Sequence, residues 1–341
     1  MSDTLSIDGQ RVIVAALNWG LGHASRCIPV ITQMLQQGKD VAIASDGDAL
    51  LLLQREFPTL ESFELPSYHI RYKYSYMSAN MILGAPQICA AIRAERPAAR
   101  KIAAEWQADT IISDNRLGFR SDATYNIYLT HQLTVLGNNR IESHLATKIH
   151  RYYYQKYDEC WVPDHEGNTA LAGQLSSSVG VSCRVRYIGP ISRLKVVETA
   201  AKKYQTLVIL SGPEPQRSAL ESVILSIASA HSDQSLVLVR GTTTAAPSIS
   251  ASLPHITVHN LADQTLLQSL IARSQHIVCR AGYSSIMDLV KLGRGATLVP
   301  TPGQTEQEYL ANRLNGKYGF VCVRQKDLDR HSSLLYSHIR I

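Results

Sequence analysis

Between Ile277 and Asn312 a short apolar run, Ile277-Val278-Cys279, breaks at Arg280-Ala281-Gly282, and a helical pattern starts at Ser284. A second apolar run, Ala296 to Val299, ends at Pro300 and passes through Thr301-Pro302-Gly303 into a polar helix start, Gln304-Thr305-Glu306-Gln307-Glu308. Strand, glycine turn, helix, strand, loop, helix is the order of a parallel sheet with crossover helices. It opens two helix N-termini on one edge of that sheet. Unpaired N–H groups and the helix dipole make such termini anion sites. The segment is expected to hold the diphosphate and sugar of a nucleotide-sugar donor.

The same alternation runs through the rest of the chain. Arg11 to Leu17 reads as a buried strand, continuous in apolar residues as parallel strands are. It enters the turn Asn18-Trp19-Gly20-Leu21-Gly22-His23, followed by an amphipathic helix from Ser25 to Gln37. Strands are predicted over Val41–Ala44, Leu60–Leu65, Thr110–Ser113, Tyr125–Leu129, Cys160–Val162 and Val185–Ile188, with helices over Asp48–Phe57, Ile82–Ala104 and Ser143–Tyr157. Gly189-Pro190 reads as a hinge, after which the alternation restarts. Strands are predicted over Leu207–Leu210, Leu236–Arg240, Ile256–His259 and Phe320–Val323, besides the two in the segment above, and helices over Gln216–Ala230, Asp263–Ala272 and Asp327–Ile341.

A chain of 341 residues fits two domains. The predicted class is α/β, with two doubly wound Rossmann-like domains facing across a cleft. Residues 1–189 would form the first domain and residues 190–341 the second, with room for the last helix to pack back on the first.

The Gly20-Leu21-Gly22 turn admits three readings. It resembles part of a dinucleotide fingerprint, with Asp46 ending the second strand, but Ser25 stands where the third glycine belongs. It also serves as a plain tight turn. In the third reading, which we favour, it is a catalytic loop in which His23 acts as general base, since histidine titrates near neutral pH and this position faces the crevice at the strand ends. Asp114 and His131 lie at strand ends on the same crevice, where a carboxylate orients a histidine or binds acceptor hydroxyls. Gly20, Gly22, Asn115, Arg116 and His131 are the acceptor-side candidates; the bland reading of each is a loop residue satisfied locally. Asp46-Gly47-Asp48 has the D-x-D shape of metal-dependent sugar transferases, although Asp48 is more simply a helix N-cap.

On the donor side, Ser211-Gly212-Pro213 ends the first strand of the second half, where a phosphate would approach the backbone. Arg280 and Gly282 precede a helix whose Ser284 and Ser285 hydroxyls can meet phosphate. Asp288 lies one turn further, within reach of a ribose hydroxyl pair. Gln304, Glu306, Gln307 and Glu308 crowd another first turn; acidic residues are ordinary there, and the same groups read sugar hydroxyls.

Two stretches are rich in tyrosines and cations, the first of them without a clear period. Residues 67–81 pack four tyrosines with Arg71, Lys73 and Met77, as an acceptor- or membrane-facing loop or as a surface loop packed by its own rings. The helix ending at Tyr157 carries Lys148, His150, Arg151, three tyrosines and Lys156. A net charge of +6 suits an anionic ligand or an anionic membrane surface rather than nucleic acid. The six cysteines are scattered with no Cys-x-x-Cys pair, which argues against a zinc site or disulfide scaffold. The polar start MSDTLSIDGQ lacks a signal-peptide core, and no apolar run reaches the roughly 18–20 residues of a spanning helix. A cytoplasmic setting is expected, with the inner face of the membrane left open.

Cys279-Arg280-Ala281-Gly282 followed by Asp288, and Pro300 followed by Gln307-Glu308-Tyr309, resemble motifs of GT-B glycosyltransferases of the family 28 group. Within that group the chain is most similar to the N-acetylglucosaminyltransferases that act on lipid-linked muramoyl-peptide. The match is strongest over Ile256 to Asn312; Gly20 to His23 resembles the family's glycine-rich loop ending in histidine, and Tyr128 to Gln132 a stretch carrying histidine. The resemblance implies that residues 1–189 form the acceptor-binding domain and residues 190–341 the donor-binding domain, and it implies inversion at the anomeric carbon without an obligatory metal or cofactor. It places Asp288 on the ribose, Gly282 to Ser285 on the diphosphate, Gln307 and Glu308 on the sugar, and the backbone from His259 to Leu261 near the base, with a lean to uridine. Asp288 stands for the family's glutamate and Glu308 for a glutamine, and residues 60–140 match poorly, so the muramoyl-peptide acceptor does not carry over.

The function these readings predict is an inverting, metal-independent transfer of a sugar from a nucleoside diphosphate donor to an acceptor hydroxyl on a lipid-linked or small molecule. His23 would remove the proton and Asp114 assist, while the helix N-termini and Arg280 stabilise the leaving diphosphate. Closure about Gly189-Pro190 would exclude water. A UDP-sugar 2-epimerase of the same fold and an NAD-binding Rossmann protein are the alternatives.

Overall fold

Arg11–Ala16 forms β1, and its residues divide by parity: Val12, Val14 and Ala16 enter one core cluster, Ile13 and Ala15 another. A strand buried on both faces accounts for the unbroken apolar run. The first cluster is closed by α1 (Leu21–Gln36) and α2 (Gly47–Glu56), the second by α3 (Met77–Glu105). The computed structural model describes residues 5–68, 77–198, 201–212, 214–242 and 253–335. The chain divides between Arg193 and Leu194.

In the N-terminal unit β1 lies beside β2 (Asp40–Ser45), β3 (Ser62–Glu64), β4 (Thr110–Asp114), β5 (Tyr125–Leu129), β6 (Glu159–Val162) and β7 (Arg184–Tyr187), with α4 (Arg140–Tyr154) between β5 and β6. The order is β3-β2-β1-β4-β5-β6-β7, and every pairing is parallel. The C-terminal unit holds β8 (Tyr204–Ile209), β9 (Leu236–Val239), β10 (Ile256–His259), β11 (Ser274–Cys279), β12 (Ala296–Leu298) and β13 (Phe320–Cys322), in the parallel order β10-β9-β8-β11-β12-β13. Its helices are α5 (Gln216–Ser229), α6 (Gln264–Arg273), α7 (Tyr283–Lys291) and α8 (Thr305–Leu314). Both units are doubly wound. In each the strand order reverses beside the first strand, at β1/β4 and at β8/β11, and ligands of such sheets bind at that switch point.

Several predicted elements differ in extent. α1 begins at Leu21, because Gly20, with φ +82°, already takes the N-cap position. His23 is therefore helical, and Pro29 sits inside the helix rather than near its first turn. α3 runs through both Pro86 and Pro97. α4 begins three residues early at an Asn139 cap, whose side chain accepts the Glu142 N–H. The predicted terminal helix is instead two 3-10 stretches, Gln325–Asp327 and Asp329–Leu335, and Leu328 and Leu335 are buried in the C-terminal unit's own core. The tyrosine-rich stretch over 69–76, the Ser/Thr/Ala-rich loop over 243–252 and the end of the chain over 336–341 lie outside the described residues.

Gly295, just before β12, faces β13 so closely that a Cβ would lie 2.2 Å from the Gly319 carbonyl oxygen. Backbone on both sides leaves no flexible group to yield. Gly295→Ala is expected to lower stability by about 1–3 kcal/mol, the cost of overpacking, read as a lower urea midpoint at constant slope.

Candidate functional site

The N-terminal switch point brings four of the predicted residues together around one that had been given no role. Ala16 of β1 pairs with Asp114 of β4, so the chain leaving β1 and the end of β4 are neighbours. The first turn of α1 then sets His23 over Asp114, with Nδ1 2.7 Å from Oδ1. Asp114 is fully buried and the His23 side chain 19% exposed. Arg26, three residues on along α1, forks onto the same carboxylate: Nε donates to Oδ2 at 2.7 Å and Nη2 to Oδ1 at 2.6 Å. Its Nη1 lies 3.0 Å from His131 Nδ1, and Nη2 3.0 Å from His23 Nδ1. Asn115, held at φ +54°, places Nδ2 3.4 Å from His23 Nδ1 and accepts the Tyr128 hydroxyl on Oδ1 at 3.1 Å. Behind it, Tyr128 meets His150 Nε2 at 2.9 Å.

The electrostatics follow from burial and charge. Burial pushes the Asp114 carboxyl up, but Arg26 and then His23 outweigh it and hold the group at about 2. An ionised carboxylate only accepts hydrogen bonds, so the 2.7 Å contact puts the proton on His23 Nδ1 and leaves Nε2 as the basic nitrogen. Burial, then the Asp114 charge, pushes the Cys27 thiol well up, so it packs as a neutral group. Burial, with His131 second, lowers His150 to about 4.

Two of these groups lower stability in acid. His150 is lowered in the fold, so the unfolded chain binds its proton first, and its contribution is present above about pH 6.5 and lost towards about pH 4. Asp114 is also lowered, and its contribution is lost between about pH 4 and about pH 2. Unfolding free energy is expected to fall in two successive steps on acidification, each on the order of 2 kcal/mol. His150→Gln should remove the upper step; urea titrations across the range would show a single lower step in that variant.

Arg116 does not face an acceptor, as had been expected. It is fully buried, donating Nε to the Ala16 carbonyl at 2.7 Å and Nη1 to the Pro66 carbonyl at 3.1 Å. It pairs with Glu95 at 3.0 Å and with Asp46. The Asp46-Gly47-Asp48 stretch is corrected by the same contact. Asp46, not Asp48, occupies the N-cap position of α2, and its carboxylate is taken by Arg116 and, at 3.2 Å, by Asn18. Among the described residues no group of three or more His, Cys, Asp or Glu is disposed to hold a metal ion.

In the C-terminal unit the register aligns Ile209, Val239, His259, Cys279 and Leu298 across five adjoining strands. The segments leaving those strands carry the donor candidates: Ser211-Gly212, Arg280 to Ser285 and Thr301 to Glu308, with His259 as the last residue of β10. Ser211 and Gly212 are exposed, and a Cβ at Gly212 or Gly282 would meet nothing within 4 Å, so the backbone is open to a ligand at both turns. Ser284, Ser285 and Asp288 are half-buried on α7. Gln304 is the N-cap residue of α8 without a side-chain cap, and Glu306 lies in its first turn. Gln307 Oε1 accepts the Thr301 N–H at 2.9 Å and Glu308 Oε1 the Gly303 N–H at 3.0 Å, so both shape the loop that precedes them.

Arg280 departs from its expected place on the diphosphate. It is buried, and its fork is taken by carbonyl oxygens: Val299 and Pro300 at 3.3 Å, Gln216 at 2.7 Å. Burial lowers it to about 10. It ties the loops after β8, β11 and β12 to one another rather than projecting to solvent. A pair of arginines also underlies the same edge: Glu221 accepts from Arg217 at 2.6 Å and from Arg240 at 2.5 Å, and Asn260 accepts from Arg240 at 3.0 Å.

Residues 206–337 match the Glycosyltransferase family 28 C-terminal domain. The chain is 22% identical over 324 residues to an uncharacterized glycosyltransferase of Methanosarcina mazei, covering 87% of this chain and 81% of that protein. Its fold is similar to that of the spinosyn rhamnosyltransferase SpnG complexed with thymidine diphosphate, with a TM-score of 0.63 at 12% identity over 96% of this chain and 92% of that one. It is likewise similar to Phytolacca americana UGT2 complexed with UDP-2-fluoro-glucose and pterostilbene, with a TM-score of 0.64 at 13% identity over 96% and 90%. These are GT-B folds, and the two parallel sheets match them.

Proposed function

We propose that this glycosyltransferase, with its family 28 domain over residues 206–337, moves a sugar from a nucleoside diphosphate to an acceptor hydroxyl with inversion and without an obligatory metal. The observation that carries the reading is the 2.7 Å contact of His23 Nδ1 with an Asp114 held ionised at the N-terminal switch point. His23 Nε2 takes the acceptor's proton as its oxygen attacks the anomeric carbon, and the imidazolium that results is stabilised by the Asp114 carboxylate. The bond from that carbon to the diphosphate oxygen breaks, and the diphosphate leaves carrying the electron pair.

The donor reading rests on the C-terminal unit. Open glycine turns at Gly212 and Gly282 and the N-terminus of α7 supply backbone N–H groups to the diphosphate. Ser284 and Ser285 add hydroxyls, Asp288 takes the ribose, and Gln307 with Glu308 reads the sugar while holding the Thr301–Gly303 loop. Arg280 acts from beneath, as the clamp of those loops. Uridine is the first choice of base, supported by the UDP-sugar in the Phytolacca neighbour; thymidine diphosphate in the spinosyn neighbour makes it the second. The likeness to muramoyl-peptide enzymes is used for the donor half alone.

The test is a panel of nucleotide sugars followed by thermal unfolding, then transfer from the best stabiliser to simple alcohols and phenols with and without EDTA. Stabilisation by a UDP- or TDP-sugar is expected, at about 2.7 kcal/mol when the ligand is at one hundred times its Kd. EDTA should leave the rate unchanged, and proton NMR should find the product anomer inverted. Stabilisation by NAD but by no nucleoside diphosphate sugar would sink the reading.

A further inference from the structure

Helix α4 is amphipathic the wrong way round for a surface helix. Its inward face is largely polar: Thr147 bonds the Val135 backbone, His150 meets Tyr128, and the Tyr154 hydroxyl donates to the Leu133 carbonyl. Its outward face carries Ile141, Leu145, Ile149 and Tyr152, exposed by 81, 56, 52 and 62%. Those positions recur at helical spacing and form one stripe along a helix about 22 Å long. Val179, 82% exposed, lies in a loop beside the helix, which Arg151 ties down by donating to the Val179 and Gly180 carbonyls. A contiguous row of exposed aliphatic side chains marks a contact surface.

The charges around the row decide its occupant. Arg140, Lys148 and Lys156 are exposed beside it, and the Lys156 ammonium sits 3.6 Å over the Tyr152 ring. The helix's one acid, Glu142, is committed to Asn138 and Asn139 at the cap. Apolar side chains along the middle with cations and a tyrosine at the edges are what an anionic lipid surface takes: the row enters the acyl boundary and the cations meet the headgroups. A second copy of the chain fits worse. Two-fold pairing of α4 with itself would bring cations against cations, and one helix face offers less than the roughly 800 Å² per partner of a stable interface.

We propose that α4 and the Val179 loop form a peripheral membrane-docking surface for anionic bilayers. The proposal is independent of the transfer reaction. It is tested by co-sedimentation of the full chain with phosphatidylcholine vesicles, with and without phosphatidylglycerol. Binding is expected only to the mixed vesicles, and weakening with salt. Leu145→Glu/Ile149→Glu should weaken it by at least about tenfold, and Lys148→Glu/Lys156→Glu should abolish its dependence on phosphatidylglycerol, both with unchanged circular dichroism and melting. Wild-type chain remaining in the supernatant, or binding unaffected by either pair of changes, would overturn the proposal. So would a wild-type dimer in sedimentation velocity that Leu145→Glu/Ile149→Glu turns into monomer, which would assign the row to a second copy.

Discussion

Replacing His23 by alanine is expected to lower kcat/KM for transfer by about 10²–10⁴-fold, the span that a positioned general base covers, with donor binding unchanged. The loss is chemical because the side chain is partly exposed and Arg26, the larger influence on Asp114, still neutralises it from the other side. Thermal unfolding and the shift produced by the nucleotide sugar should therefore match wild type. Asp114→Asn is expected to reduce kcat as well but also to destabilise, because Arg26 loses a buried anion. The pair thus separates a base from a structural group. A His23→Ala enzyme with full activity would remove histidine from the mechanism and leave the donor assignment standing.

Arg116→Met is expected to cost about 3–5 kcal/mol of stability, the penalty for leaving buried charge without its partner. The guanidinium is the hub of the N-terminal sheet's edge. It binds the end of β1 through Ala16, the segment after β3 through Pro66, α3 through Glu95, and the start of α2 through Asp46. Glu95 also accepts the Tyr68 hydroxyl at 2.9 Å and the Gly118 N–H at 2.8 Å, and burial raises its pKa even with the arginine present. Without Arg116 the buried Glu95 carboxyl loses its partner charge. Arg116→Lys should recover little, because one ammonium cannot reach four acceptors in different directions. Urea unfolding followed by far-UV dichroism measures the difference; a change under about 1 kcal/mol would refute the role of the hub.

Much of the fold was legible because parallel sheets write themselves as apolar runs closed by glycine or polar turns. Each of the observed strands coincides with a predicted run, and the longest extensions, β8 back to Tyr204 and β11 back to Ser274, add mostly polar residues that no apolar criterion would include. Helix starts were less legible. Gly20 begins α1 by its backbone angle alone, and a glycine carries no side-chain capping signal. The closeness of His23, Asp114, Asn115 and His131 was legible because the strand ends of one sheet and the turn after its first strand share an edge. Arg26 was not, although its spacing of three from His23 put both on one helix face. Arg116 was expected at the acceptor and Arg280 at the diphosphate because each follows a strand on a ligand-binding edge, and only the packed structure reveals the carboxylates and carbonyls already around them.

The strand order of the N-terminal unit also has a kinetic meaning. β1 lies at the centre of its sheet, but its partner β4 arrives only after two further strands and the long helix α3. The His23–Asp114 contact spans 91 residues and depends on that closure. A pairing of such range is slow to form, since loop entropy is lost before any contact is gained. Nascent chain released short of β4 would hold helices and hairpin-length fragments of core but neither a sheet centre nor a base for catalysis. Recovery of activity on refolding should therefore follow the slowest phase of sheet formation rather than the early return of helical signal.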